Sequence, residues 1–170
     1  MSPKQFQEKN KVIIAVAGSG KTTSLVKKAI ESKEEKKILF LTYTNENLGT
    51  IRKIFIKENG HVPQNVEIIS WFSFLLRDGV RPYHNAVSGG ERVSSINFLA
   101  GSSSSIPSLR FIRESDTENY YFDKGRKIYT DKISQYVYQC NNKTSGLVVK
   151  RLEQLYSSIY IDEIQDLAGW

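Results

Sequence analysis

The stretch VIIAVAGSGKTTSLVKKAIES, residues 12–32, decides the fold. It begins with an apolar run, residues 12–16, passes through Gly18 and Gly20, and continues into a run whose apolar side chains recur at helical spacing. Glycine allows a loop to turn its backbone N–H groups inward, and the positive end of the following helix points at the same place. The stretch therefore predicts a strand, a phosphate-binding loop and a helix over residues 22–32.

The loop matches the pattern G-x-x-x-x-G-K-[ST] except at its first position, which is Ala15. In this pattern Lys21 reaches the β- and γ-phosphates of a nucleotide, and Thr22 offers its hydroxyl to Mg²⁺. The alternative is a glycine-rich turn followed by a chance Lys-Thr pair. The predicted nucleotide-binding residues are Ala17, Gly18, Ser19, Gly20, Lys21, Thr22 and Thr23.

A second motif, YIDEIQD, occupies residues 160–166. The apolar residues 159–161 predict a buried parallel strand with Asp162 and Glu163 at its carboxyl end, where open α/β sheets bind their ligands. Asp162 is predicted to hold Mg²⁺ together with Thr22. Glu163 is the candidate base that orients water for attack on the γ-phosphate. The predicted cofactors are therefore ATP and Mg²⁺.

Composition restricts the class of protein. The chain has 170 residues, 39% hydrophobic and 25% charged, which is typical of a globular protein with one ordinary core. Its net charge of +6 permits nucleic-acid binding without establishing it. No apolar run approaches the length of a membrane span, the amino terminus lacks a signal-peptide core, and Cys140 is the only cysteine. We therefore expect a cytoplasmic protein with no membrane partner.

The alternation of strand and helix continues after the loop. Residues 38–42 and 66–69 are apolar runs that predict two more strands. Between them, Asn45 is predicted to cap a helix over residues 46–59, and Gly60 to end it. Strands separated by helices imply a parallel sheet, so the predicted fold class is α/β.

The regular pattern stops near position 80. A short helix over residues 71–76 is predicted to end at Asp78-Gly79. Beyond it, residues 81–146 are polar and irregular, with a flexible loop predicted at residues 101–105 and a strand and turn at residues 120–125.

These patterns divide the chain into three parts. We predict the first part of the α/β core over residues 1–80, an inserted subdomain or long excursion over residues 81–146, and the rest of the core over residues 147–170. The last part contains a helix over residues 147–156, followed by the strand that carries Asp162.

Two segments at strand ends carry hydroxyls and aromatic rings: LTYTNEN, residues 41–47, and SWFSFLLRD, residues 70–78. Such side chains can hydrogen-bond a nucleic-acid backbone and stack on a base. Phe74 and Leu75 have a spacing that suits core packing instead. The predicted nucleic-acid-binding residues are Thr42, Tyr43, Thr44, Asn45, Ser70, Trp71 and Ser73.

Taken in order, AVAGSGKTT, LTYTNEN, SWFSFLLRD and YIDEIQD resemble motifs I, Ia, Ib and II of UvrD/Rep-like superfamily 1 DNA helicases. The resemblance covers residues 12–77 and 147–168. It implies a RecA-like P-loop NTPase sheet flanked by helices, with an inserted subdomain. It also implies an ATP-dependent helicase or translocase whose partner is single-stranded DNA or a junction of single and double strands.

The resemblance assigns further roles to residues. Gln165 is implied to sense the γ-phosphate and to couple it to DNA, beside the catalytic Lys21, Asp162 and Glu163. Tyr43 stands where the family has a stacking Phe, and Phe72 where it has His. Because the family needs a second RecA-like domain for hydrolysis, we expect this chain to be the amino-terminal part of a motor, with little activity alone.

Two other functions stay open. The same loop could serve a nucleotide-binding switch, in which the inserted region contacts a protein partner. Residues 87–92, VSGGER, are similar to the signature sequence of ABC-type ATPases. In that class the second nucleotide motif follows the signature closely, whereas Asp162 lies far downstream, so we interpret Ser88-Gly89-Gly90 as a turn.

Overall fold

The computed structural model describes residues 11–14, 16, 18–32, 36–89, 92–99 and 101–164. Over these residues the chain is mixed α/β, with one three-stranded and one two-stranded parallel sheet flanked by helices. The helices are α1 Lys21–Glu31, α2 Asn45–Asn59, α3 Trp71–Phe74, α4 Thr117–Tyr121, α5 Ile133–Lys143 and α6 Leu147–Leu155. The strands are β1 Lys37–Thr42, β2 Val66–Ser70, β3 Ser95–Asn97, β4 Lys127–Tyr129 and β5 Tyr156–Ile161.

The larger sheet has the order β2-β1-β5. Both pairings are parallel, and Ile38 of β1 lies opposite Val66 on one side and Ser158 on the other. The carboxyl ends of the three strands therefore meet at one edge of the sheet. The predicted parallel sheet is confirmed, and the strands predicted over residues 38–42 and 66–69 are each one residue longer than expected.

The central strand β1 is buried on both faces. Ile38 and Phe40 pack with Val26 of α1 and Phe55 of α2, and the alternate side chains, including Leu39, face a second core. This alternation follows from the two-residue period of a strand. The buried residues of the two helices, Val26 and Ala29 on α1 and Ile51 and Phe55 on α2, lie three or four positions apart, as one face of a helix requires.

The sequence predicted Asn45 as the cap of α2, but the cap is Thr44. Thr44 has an extended backbone, and its Oγ1 accepts a hydrogen bond from the backbone N–H of Asn47 at 3.2 Å. Asn45 already belongs to the first turn of the helix. Both residues are common caps, so local preference did not separate them. The predicted end at Gly60 is confirmed, with φ at +78°.

The strand predicted over residues 12–16 is wrong for the residues that the structure describes. Residues 11–14 and 16 are not in a strand, and Ile14 is 92% exposed. Ala15 lies outside the described residues. Strand β5 pairs only with β1 in the described part of the sheet, so the apolar run has no strand beside it. An apolar run forms a strand only where a neighbour accepts its hydrogen bonds.

The helix that begins at Trp71 does not end at Asp78-Gly79. It continues from α3 into a π-helical segment, Leu75–Val80. The Asp78 carboxylate is buried and accepts hydrogen bonds from Arg77 and Tyr156, so it does not act as a turn residue. Gly79 lies against Val137 of α5. Tertiary contacts therefore override the stop signal that the dipeptide carries in the sequence.

Two predictions for the inserted region are also wrong. Residues 103–105 form a 3₁₀ turn where a flexible loop was expected, because Asp131 Oδ2 accepts hydrogen bonds from the hydroxyls of Ser102 and Ser103. The strand expected from residue 120 is instead the end of α4, capped by Asp116. The expected turn is present at residues 124–125, and it leads into β4.

The inserted region and the sheet share one core. Tyr121, Tyr136 and Cys140 are fully or almost fully buried in the same cluster as Leu39 and Leu41 of β1. The domain boundaries stay a prediction, although this shared core ties the insertion to the sheet. Within the described residues, no helix combines the length and apolar character that a membrane crossing requires.

Candidate nucleotide site and neighbouring aromatic surface

The loop before α1 has a backbone that favours glycine. Gly18 and Gly20 have φ values of +79° and +81°, which are costly for residues with a side chain. The N–H of Ser19 donates to the carbonyl of Val16 at 3.2 Å and closes the turn. Gly20 caps α1 without a side-chain hydrogen bond, and the first turn holds no acidic residue. The positive end of α1 is therefore available to an anion.

Lys21 begins α1 and turns back over the loop. Its Nζ donates to the carbonyl of Val16 at 3.4 Å. Lys21 and Asp162 line the same cavity, where burial raises the pKa of the Asp162 carboxyl and the lysine charge opposes that rise. A phosphate held by the loop would therefore meet both the helix end and a cation.

Thr22 and Asp162 meet, although one lies near the start of the chain and the other near its end. The Oγ1 of Thr22 donates to Oδ2 of Asp162 at 2.9 Å. Asp162 directly follows β5, and its backbone N–H donates to the carbonyl of Leu41 at 2.9 Å. The sheet therefore holds the Asp162 carboxylate beside the first turn of α1.

The Thr22 and Asp162 oxygens fit a magnesium ion. Burial raises the pKa of the Asp162 carboxyl above its ordinary value, and Thr22 and Lys21 oppose that rise. A hydroxyl and a carboxylate are hard oxygen donors of the kind Mg²⁺ prefers. Among the described residues no group of three His, Cys, Asp or Glu side chains could hold an ion alone. Waters and nucleotide phosphates would therefore complete the shell.

Glu163, the candidate base, has an unusual backbone conformation. Its φ is +55°, in the left-handed region that residues other than glycine seldom adopt. Such strain persists only where surrounding contacts hold it, and it is frequent at functional sites. The Glu163 side chain is half-buried, and it lines a cleft together with Asp162 and Lys21. Of the other predicted site residues, Ala17 and Gln165 lie outside the described residues.

A cleft of about 470 Å³ lies between residues 11–13 and α1 on one side and β5 with residues 162–164 on the other. This volume is within the range of small-molecule sites. Its lining combines apolar side chains with the charged groups of the two motifs: Lys11, Val12, Ile13, Lys21, Leu25, Ile159, Tyr160, Ile161, Asp162, Glu163 and Ile164. The sequence did not single out Lys11, since nothing in its local pattern marks it as a cleft residue.

The predicted nucleic-acid-binding residues lie at the same carboxyl edge of the sheet as Asp162, and all of them except Thr42 are at least partly exposed. Tyr43 follows β1, and its ring contacts that of Phe72, with centroids 5.3 Å apart. Trp71, the residue before Phe72, is half-buried. Thr42 is only 1% exposed, and its Oγ1 has no hydrogen-bond partner among the described residues. The side chain of Thr42 is therefore not accessible to a ligand at this edge of the sheet.

The hydroxyls in this set have structural roles as well. Thr44 caps α2, and Ser70 caps α3 by accepting from the N–H of Ser73 at 3.2 Å. The hydroxyl of Ser70 also donates to that of Ser73 at 2.8 Å. Ser73 and Asn45 are exposed. The caps hold the two strand ends in place and leave polar groups at the surface.

The sequence missed one aromatic residue. Phe98, which follows β3, contacts Phe72, with ring centroids 5.6 Å apart. No motif contains it. Its position depends on how the inserted region packs against α3, and no local pattern reports such packing.

Comparison with protein-family models gives no match, and comparison with curated proteins gives none either. What this site does must therefore be inferred from its own residues.

Proposed function

We propose that the chain is a RecA-like ATP-binding module of the superfamily 1 helicase type. In this proposal Mg-ATP occupies the cleft between α1 and β5 with its phosphates at the loop, and single-stranded DNA lies across the ends of β1 and β2. The observation that carries it is the hydrogen bond between Thr22 and Asp162, because it joins the two motifs at one point. ATP-driven translocation or unwinding of DNA belongs to the same proposal.

Each residue then has a chemical role. The backbone N–H groups of the loop bind the phosphates, and the Lys21 ammonium neutralises charge on the β- and γ-oxygens. Thr22 and Asp162 would hold the magnesium ion, which would neutralise charge on the transferred phosphoryl group. Glu163 orients the attacking water and accepts its proton.

Hydrolysis by this chain alone should be slow. Among the described residues that line the cleft, the cations are Lys11 and Lys21, and none is an arginine. An arginine directed at the γ-phosphate accelerates related reactions by about 10³- to 10⁵-fold. Binding of the nucleotide is therefore a better first test of the site than turnover.

We expect the chain to bind a fluorescent ATP analogue in the presence of Mg²⁺. Lys21→Ala should weaken binding about 10- to 100-fold, because a charge-assisted contact to phosphate is lost. Thr22→Val should reduce the difference in affinity between Mg²⁺ and EDTA buffers. Ser24→Ala is the matched control, because Ser24 is an exposed hydroxyl residue on the same helix. Equal nucleotide affinity of Lys21→Ala and the wild type would contradict the proposal.

DNA binding separates the proposal from its rival. A helicase-type module should bind single-stranded oligonucleotides, and Tyr43→Ala should weaken that binding. Nucleotide binding without any nucleic-acid binding would favour the switch or interaction module instead. The two outcomes are read from one titration of labelled oligonucleotide with the protein, in the presence and absence of Mg-ATP.

A further inference from the structure

Three aromatic rings form a row at the carboxyl edge of the sheet. Tyr43 contacts Phe72 at a centroid distance of 5.3 Å, and Phe72 contacts Phe98 at 5.6 Å with ring planes at 89°. The three residues come from the end of β1, the start of α3 and the segment after β3. Phe72 is buried, whereas Phe98 is 68% exposed. We call this row the aromatic surface.

Phe98 is held in place although its ring is exposed. The residues on both sides of it bond to Thr130: the hydroxyl of Thr130 donates to the carbonyl of Asn97 at 2.6 Å and accepts from the N–H of Leu99 at 3.3 Å. The amide of Asn97 also donates to Asp123 at 2.8 Å. Because its backbone is held and its ring packs against Phe72, Phe98 would lose less conformational freedom on contacting a ligand than an unsupported side chain would.

We propose that Phe98 is a base-contacting residue and that the aromatic surface receives the unpaired bases of a nucleic-acid strand. This inference rests on the proposed function, and it extends the DNA site beyond the residues that the motifs contain. Stacking on an aromatic side chain tolerates every base, because every base has a π-face.

The surroundings of the aromatic surface favour a nucleic-acid strand as its occupant. Exposed polar residues flank the rings, namely Thr44 and Asn45 beside Tyr43 and Ser73 beside Phe72. Such groups hydrogen-bond phosphate and sugar oxygens. The chain carries a net charge of +6, which attracts a polyanion. A purely apolar protein segment would leave these polar groups without matching partners.

The test measures anisotropy of a labelled oligothymidine of about 12 nucleotides, a length typical of single-strand sites. Phe98→Ala should weaken binding about 5- to 100-fold, as expected for loss of one stacked base. Phe98→Trp should retain the wild-type affinity, and Phe98→Leu should not. Phe111→Ala is the matched control, because Phe111 is 84% exposed in the same inserted region and its described ring contact is with Arg110.

An oligonucleotide with abasic sites distinguishes the loss of base stacking from a change in the shape of the variant protein. The wild type and Phe98→Ala should bind the abasic strand equally, since it offers no base to stack. If Phe98→Ala or Phe98→Leu binds oligothymidine as the wild type does while Tyr43→Ala is weakened, the inference about Phe98 is wrong and the proposed function stands. If the wild type binds no oligonucleotide, both fail. Thermal melting checks that each variant is folded.

Discussion

Gly79 is required for space and not for backbone conformation. A Cβ built at this position would lie 2.6 Å and 2.8 Å from the two γ-carbons of Val137 on α5. Contacts this short force side chains or helices apart. The glycine therefore sets how closely the π-helical segment approaches α5.

We expect Gly79→Ala to destabilise the protein by about 1–3 kcal/mol, the usual cost of overpacking a core. Chemical denaturation measures the change. Gly49→Ala is the control, because Gly49 lies within α2 with no atom within 4 Å of the added Cβ. That variant should instead be stabilised by about 0.5–1 kcal/mol. The double variant Gly79→Ala, Val137→Ala should recover part of the loss, and a loss undiminished in that variant would contradict the steric explanation.

The glycines also show what the sequence can and cannot reveal about single residues. Gly18 and Gly20 belong to a recognisable pattern, so their left-handed backbone could be expected. Gly79 follows an aspartate, and the pair has the composition of a turn. Its real constraint is a side chain 58 positions away on α5, beyond the reach of local pattern.

At the scale of elements, a polar network joins β2, the π-helical segment and β5. Arg77 donates to Tyr156 Oη at 2.6 Å and to Asp78 Oδ2 at 2.7 Å, and it also pairs with Glu67 of β2. The Tyr156 hydroxyl donates to Asp78 at 3.1 Å. Burial raises the pKa of Tyr156 to about 12, so this hydroxyl keeps its proton. The network fixes the start of β5, the strand that delivers Asp162.

Tyr156→Phe should lower the free energy of unfolding by about 1–2 kcal/mol, because Asp78 is 2% exposed and loses a hydrogen bond that water does not easily replace. Urea titration followed by circular dichroism measures it. Tyr138→Phe is the matched control, since Tyr138 is 64% exposed on α5. Equal stability of the Tyr156→Phe variant and the wild type would mean that the network does not stabilise the junction.

Elements could be predicted where their signals are local. The spacing of apolar side chains identified α1 and α2, and Gly60 marked the end of α2. The run at residues 12–16 has the composition of a strand, yet strand formation depends on a neighbour from elsewhere in the chain. Likewise, Thr22 and Asp162 could be paired in advance because both belong to motifs, whereas Phe98 joins Phe72 only through tertiary packing.

At the scale of the whole molecule, the inserted region is part of the core that supports the sheet. His84 lies in this region, and its carbonyl accepts a hydrogen bond from the hydroxyl of Tyr136 at 3.2 Å. Tyr136 is packed in the cluster that also contains Leu39 and Leu41 of β1. A change at His84 should therefore affect the stability of the sheet as well as that of the insertion.

The stability of the protein should fall as the pH is lowered through the range just below 6.5. Burial lowers the pKa of His84 from its ordinary value of 6.5, and the charges of Arg126 and Arg92 lower it further. The unfolded chain therefore takes up a proton at a higher pH than the folded chain does. By linkage, the free energy of unfolding falls as the pH is lowered through the interval between the two pKa values. It is recovered as the pH rises through the same interval.

Melting temperatures between pH 8 and pH 5 measure this effect. His84→Gln, which cannot take up the proton, should have a shallower loss of stability on acidification than the wild type. His61→Gln is the control, because His61 is exposed. Asp162 acts in the opposite direction: burial raises its pKa, so acidification towards its ordinary value of 3.8 favours the folded state. A wild-type melting temperature that does not change from pH 7 to pH 5.5 would contradict the assignment to His84.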